Sequence, residues 1–555
     1  MRDPAPGGPA PRFGAGSGTG PALSRRGLFR LGFLAFLSAQ VAPLRLAWGR
    51  VPGDVFVMAL QCDDIISLDP AELFEFTGAE VAANIYDRFL YFDPADTGTI
   101  VGGVAESWSV SGDGRMFRFG IRPGMKFHSG NPVTAEDAAY SLRRVVALDK
   151  APAFILGQFG FSPGNVRDRI RAVNGETVEI ETERAFAPSF LFAGLTAAVA
   201  SVVDKALVES HAENGDFGNN WLRTNSAGSG PFSLQVWKPS ELLVLDRSQS
   251  YWRGAPAMKT VFIRHIAEPG VQRLLIERGD IDVARNLGPD QVSAMRDRTD
   301  LRVRTVRKGS LYYLGLNQKN PNLRDPKVRK ALKHLVDYEG LVSTILRGKA
   351  EIHQTIVPAG FLGALEEAPY SWDPGEARRL LAEAGLSGGF SLSVDVRNTR
   401  PDLDVAQSLQ ANFAEGKIEL RIVQGDGRQV LTKYRARNHD LYLGRWGPDY
   451  QDPHSNAQAF ASNPDNSDAG RVKTLAWRNA WDIPELTRLT QGAILERDGA
   501  KRAADYQEIQ RRMLEDSPFV ILFQEVDLAV ERANLRGFVM GPSFDTVYYG
   551  GVAKD

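Results

Sequence analysis

The sequence predicts a mixed α and β protein divided into two or three lobes. Three observations carry that expectation. A chain of 555 residues exceeds what a single hydrophobic core organises. Short strand-like runs bounded by turn clusters interleave with helical patterns along its length. No internal repeat is apparent, which argues against a solenoid. Hydrophobic residues make up 43% and charged residues 24%, the balance of an ordinary globular protein.

The first 49 residues hold six Arg and one Asp. Within them Ser24-Arg25-Arg26-Gly27-Leu28-Phe29-Arg30 precedes an apolar run over 31–37, extended through Val41 to Leu44. Twin arginines before a short apolar segment resemble a twin-arginine (Tat) export signal, and Ala47 and Gly49 suit cleavage after residue 49. The run falls short of the roughly 20 residues that span a bilayer. The Gly- and Pro-rich tail before it is expected to be disordered. Removing this leader leaves 60 basic and 66 acidic residues, a formal charge near −6, which argues against a nucleic-acid binder. Cys62 is the only cysteine, so no internal disulfide can form. Leu60-Gln61 before it makes a poor lipid-attachment site, and a buried small hydrophobe is its expected role.

Further along, Ser111-Gly112-Asp113-Gly114 separates two apolar-rich runs and predicts a hairpin. Phe117, Phe119 and Ile121 alternate with Arg118, Gly120 and Arg122, the period of a half-buried strand. Thr134 suits an N-cap with Asp137 three residues on, and Leu142 and Val145 share a helical face. Asp325-Pro326 and Asp373-Pro374 each offer an N-cap followed by Pro at the first helical position, and Gly385 suits the stop of the second helix. The segment 440–453 reads as a strand in which Leu441 and Leu443 alternate with Tyr442 and Gly444, running into a Gly-Pro-Asp turn. Trp446 and Asp449 then fall at the mouth of a sheet, where binding loops often sit. By spacing alone Asp449 reads as a turn cap, and Asp452, before a Pro, as a turn initiator. A helical pattern over 506–514 and a buried strand over 519–523 close the pass.

The order of these residues resembles the large extracytoplasmic solute-binding proteins of ABC importers, in the oligopeptide, dipeptide and nickel binding family. Ala105-Glu106-Ser107-Trp108, Asp113-Gly114, the strand 117–122, Lys126-Phe127 and the run 134–137 occupy the places of that family's signature. Ser129 stands where the family often has Asp, a change of one turn residue. Ser229-Gly230-Pro231-Phe232, Tyr251-Trp252-Arg253-Gly254, Gly279-Asp280-Ile281-Asp282 and the run from Leu316-Asn317 to Ala331 match further family segments, so the resemblance covers about 54–550.

That resemblance implies a two-lobed periplasmic-binding-protein fold with an accessory domain inserted in the first lobe. The first lobe would use 50–92, 200–310 and 526–555, the accessory domain 93–199, and the second lobe 311–525. It implies a monomer that captures a peptide or other small solute by lobe closure and presents it to a membrane permease and ATPase complex. No cofactor, metal or covalent chemistry is implied. The loop Trp446-Gly447-Pro448-Asp449-Tyr450 resembles a family loop whose Asp pairs with the ligand's α-ammonium, which turns Asp449 into a ligand contact. An anionic partner suits a ligand ammonium stripped of water in a closed cleft. Trp446 and Tyr450 are candidate aromatic walls, and Tyr312 and Tyr313 match a tyrosine-bearing segment at the lobe interface. Adjacent strand residues face opposite sides, so one tyrosine of the two is expected to reach the ligand. Arg445 is a candidate for a ligand carboxylate, against the plainer reading of a paired or solvated surface cation.

Other ligands for the same role are a saccharide, a metal chelate or another solute. The seven His show no paired metal spacing, and His454 beside the site loop is expected at the surface. An exported hydrolase is a weaker alternative, because no G-x-S-x-G elbow, H-E-x-x-H helix or P-loop is present. A chaperone-like interaction protein would instead expose an apolar patch.

Overall fold

The computed structural model describes residues 51–93 and 99–555, and the twin-arginine leader lies outside them. Most of the described chain is organised by one eleven-stranded mixed sheet. Along its main path run Ile418–Gly425, Phe390–Arg397, Leu441–Trp446, Leu301–Leu316, Phe519–Arg532, Val283–Ala284, Val55–Leu60, Thr260–His265, Leu242–Arg247 and Phe232–Lys238. Ala350–Ile352 pairs with Phe519–Arg532 off this path. Two strands, Leu301–Leu316 of 16 residues and Phe519–Arg532 of 14, are long enough to run through more than one hydrophobic core.

Those two strands pair antiparallel at both ends and part in the middle. Arg307 stands opposite Val526 and Leu311 opposite Gln524, so three residues, 308–310, face the single Glu525. Such a bulge bends a strand and raises its twist. On one side of it Ala529 joins a core with Phe56, Met58, Val261 and Ile263. On the other side the alternation of strand side chains feeds two cores. Tyr312, Leu314 and Leu316 pack with Val520 and Leu522 on one face, and Leu311 and Tyr313 with Phe519 and Ile521 on the other. The strand expected over 519–523 is buried throughout, and it continues past that core to Arg532.

A smaller four-stranded sheet carries Ala105–Val110, Met116–Ile121, Thr177–Glu181 and Ile170–Ala172. The predicted hairpin turns at Gly114, which has a left-handed φ of 74°. Phe117 and Phe119 are fully buried, while Arg118 between them faces solvent. The helix Ala135–Leu148 covers this sheet, and Thr134 and Asp137 close a reciprocal capping box at its start. The two Asp-Pro signals also start helices, Pro326–His334 and Pro374–Glu383, with Asp325 and Asp373 accepting from Lys327 and Glu376 backbone N–H groups. Gly385 follows the second helix with φ of 77°. Cys62 is buried, and burial beside Asp64 and Asp63 pushes its thiol up to about 12.

Candidate functional site

The strand Leu441–Trp446 lies antiparallel to the second half of Leu301–Leu316, with Leu311 opposite Trp446 and Tyr312 opposite Arg445. It ends at Gly447-Pro448, and after a short loop Asp452 caps the helix Pro453–Ala461 by accepting the His454 N–H. A strand end and a helix start therefore hold the loop 447–451 at both ends.

This loop rests on the bulge of the two long strands. A Cβ on Gly309 would lie 2.7 Å from Pro448 Cγ, and one on Gly447 would meet Ser310 Oγ at 3.2 Å and the Phe76 ring at 3.4 Å. A side chain at Gly309 would clash with Pro448, while one at Gly447 would fit only if Ser310 or Phe76 gave way by a few tenths of an ångström. Phe76 begins the helix Phe76–Ile85, which belongs to the core on the other side of the bulge. The loop thus lies against both the bulge and the helix Phe76–Ile85.

Asp449 is half-buried on this loop, and its backbone N–H donates to Ser455 Oγ at 2.9 Å. No Lys, Arg or His of the described residues forms an ion pair with its carboxylate. Desolvation pushes it up to about 7, opposed only by a hydrogen bond with the Ser455 side chain. Three residues on, Asp452 is gripped by Arg502 through two bonds of 2.7 and 2.8 Å. Arg502 also donates to the Ala493 carbonyl, Ser189 Oγ and Tyr506, so that pair is satisfied within the fold.

The other sequence candidates divide by strand face. Trp446 is half-buried beside Asp449, with Nε1 donating to Asn456 Oδ1 at 3.1 Å and its ring edge-on to Phe460. Tyr450 is 4% exposed, and its hydroxyl donates to Gln158 Oε1 at 3.0 Å, tying the loop to the core under the smaller sheet. The structure corrects the readings of Tyr313 and His454 and gives Arg445 the plainer of its two readings. Tyr313 is core, enclosed under the strand with its hydroxyl donating to Tyr434, so its access to a ligand is blocked. Tyr312 is 4% exposed on the opposite face, where Arg445 lies 5.0 Å over its ring. Arg445 is held by Asp402 at 3.0 Å and Glu525 at 2.9 Å, the paired-cation reading. His454, expected at the surface, is buried edge-on to Phe190, and desolvation lowers it to about 3.

Sequence reasoning missed the apolar walls. Phe76 is 51% exposed and stacks on Phe544 with ring centroids 3.7 Å apart. Phe74 and Phe154 are likewise exposed and meet edge-on at 6.2 Å, and Phe154 lies one helical turn before the Gln158 that holds Tyr450. Exposed large aromatics on either side of a loop are uncommon unless something covers them. The only signal available was the Phe74-Glu75-Phe76 pattern, which by itself reads as ordinary core.

The family model for "Bacterial extracellular solute-binding proteins, family 5 Middle" matches residues 99–468. The chain belongs to the family 5 bacterial extracellular solute-binding proteins. It is similar to the "Probable D,D-dipeptide-binding periplasmic protein DdpA" of Escherichia coli K12, 28% identical over 94% of this chain and 98% of that protein. Among solved structures, the dipeptide binding protein of Pseudoalteromonas sp. SM9913 in complex with Met-Leu aligns with TM-score 0.75 and 21% identity, covering 90% of this chain and 100% of that one. The periplasmic binding protein DppA of Helicobacter pylori in complex with peptide STSA aligns with TM-score 0.74 and 23% identity, over 90% and 98% of the two chains. These likenesses establish the two-lobed fold for this family 5 protein. No helix among the described residues is long and apolar enough to cross a membrane, and no group of three metal-ligating side chains occurs among them.

Proposed function

We propose that this family 5 protein captures peptides between its lobes, with Asp449 meeting the N-terminal ammonium, and delivers them to an ABC permease and its ATPase. The observation that carries the reading is the unpaired carboxylate of Asp449, held on a loop that lies against both the bulge and the helix Phe76–Ile85. A desolvated carboxylate without a cation is costly to keep, and a ligand ammonium supplies the missing charge. Phe74, Phe76 and Phe154 supply apolar surface for the side chains that follow, with Trp446 as a further wall. Peptide backbone can add strand-like hydrogen bonds that tolerate many sequences.

The lobes of this reading are 50–92, 200–310 and 526–555 for the first and 311–525 for the second, with 93–199 as the accessory domain. The bulge at 308–310 opposite Glu525 is then the hinge, since it interrupts the two strands shared by both halves. The protein acts as a monomer without cofactor or catalysis, after Tat export to the periplasm.

A titration with matched peptides tests the central contact. Free peptides are expected to bind, and the same peptides acetylated at the N-terminus to lose about 2–5 kcal/mol of affinity, the cost of leaving one buried charge unpaired. Equal binding of both forms would remove Asp449 from the ligand site.

A further inference from the structure

The half of the molecule that holds the helix Phe76–Ile85 contains a separate cavity of about 320 Å³. It lies toward the other end of that helix from the Asp449 loop, beside Ala83, and shares no lining residue with the site described above. Its walls are mostly apolar and aromatic, with Tyr251 and Tyr548 partly exposed, Tyr91 5% exposed, and Phe92 and Val101 coming from a neighbouring hairpin. The volume falls at the small end of the roughly 300–1,000 Å³ typical of ligand pockets.

The wall is built rather than incidental. Asp87, fully buried behind it, accepts hydrogen bonds from Tyr91 at 3.0 Å, Tyr251 at 3.3 Å and Ser229 at 2.9 Å. Those bonds tie down two phenol hydroxyls and leave their rings as fixed surface. Tyr548 stands edge-on to Tyr91 with centroids 6.1 Å apart, and its hydroxyl is buried without a hydrogen-bond partner among the described residues. At the rim Arg253 is exposed, stacked 5.0 Å over the Tyr91 ring and 4.5 Å over Trp252. Its only protein hydrogen bond among the described residues is a 3.3 Å contact with the Gly102 carbonyl. Stacking holds the guanidinium in place while leaving donors to face a ligand.

We propose that this cavity is a second ligand site, for a small aromatic carboxylate whose ring packs against the apolar and aromatic wall and whose carboxylate meets Arg253 at the rim. Flat rings match the tyrosine walls, and the guanidinium at the rim disfavours a cationic guest.

The test is a calorimetric titration of the purified full-length chain with indole-3-acetate, and with indole-3-acetamide as the uncharged match. The acetate is expected to bind at one site, and the amide at least about tenfold more weakly, the scale of one charge-assisted hydrogen bond. Arg253→Gln is expected to weaken the acetate about tenfold, with unchanged melting temperature. Asp449→Asn is expected to leave acetate binding as it is, which separates this site from the peptide site. Absence of saturable binding at millimolar acetate, equal binding of acid and amide, or binding indifferent to Arg253→Gln would each overturn the assignment.

Discussion

Asp449 and Asp452 occupy one loop between the same strand and the same helix, yet the fold treats them differently. Asp452 caps the helix Pro453–Ala461 and is gripped by Arg502, which is itself hydrogen-bonded to three further groups. Asp449 has the Ser455 side chain and no cation, and desolvation pushes it up to about 7. One carboxylate completes a structural network, and the other stands with its charge unanswered. The difference teaches that position next to a Gly-Pro turn decides little. What separates a structural carboxylate from a ligand-seeking one is whether the chain supplies the cation.

The comparison breaks first on stability. Replacing Asp452 with Asn leaves Arg502 buried without its counter-charge, and unfolding by urea is expected to show a loss of about 3–5 kcal/mol. The same replacement at Asp449 leaves no cation stranded and is expected to cost nothing comparable. Equal losses at the two positions would erase the distinction.

Next in size is the effect on ligand affinity. Asp449→Asn is expected to weaken a free peptide by about 2–5 kcal/mol in calorimetry. Gly309→Ala follows, because its Cβ would sit 2.7 Å from Pro448 and displace the loop that carries Asp449. A stability loss of about 1–3 kcal/mol, the usual cost of overpacking, is expected together with weaker peptide binding. Unchanged affinity in that variant would disconnect the loop from the bulge.

pH sharpens the same contrast. Asp449 must be ionised to meet an ammonium, so affinity is expected to fall as pH drops below 7, approaching about tenfold per unit, and to be flat in the Asn variant. The sign for the empty protein is opposite to that of an ordinary paired carboxylate. With its folded value raised above the unfolded one near 4, Asp449 binds its proton more tightly in the native state. Stability therefore declines through this group as pH rises from about 4 to 7, and Asp449→Asn is expected to gain on the wild type across that window in thermal melts. The smallest effect belongs to Tyr450→Phe, which removes the 3.0 Å bond to Gln158 and is expected to cost about 0.5–1.5 kcal/mol of stability in the same urea assay.

Local signals in the sequence suffice where one short segment sets its own geometry. Thr134 with Asp137, Asp325-Pro326 and Asp373-Pro374 all start helices, because capping needs only neighbours in the chain. The alternation around Phe117 and Leu441 placed strands for the same reason. Partners distant in sequence were not legible. That Arg445 would meet Asp402 and Glu525, or that Arg502 would reach Asp452 and leave Asp449 alone, follows only from folding. His454 misled because the helix it starts packs against Phe190, a contact from the far side of the chain. Phe76 was invisible for a related reason, since its meaning comes from Gly447 lying across from it.

The most direct measurement is the number of protons exchanged when a free peptide binds at pH 6.5, obtained by calorimetry in buffers of different ionisation enthalpy. With Asp449 raised to about 7 in the empty site, the wild type is expected to release a substantial fraction of a proton, and Asp449→Asn essentially none. Release of the same size from both proteins, or none from the wild type, would contradict an ammonium seated on Asp449.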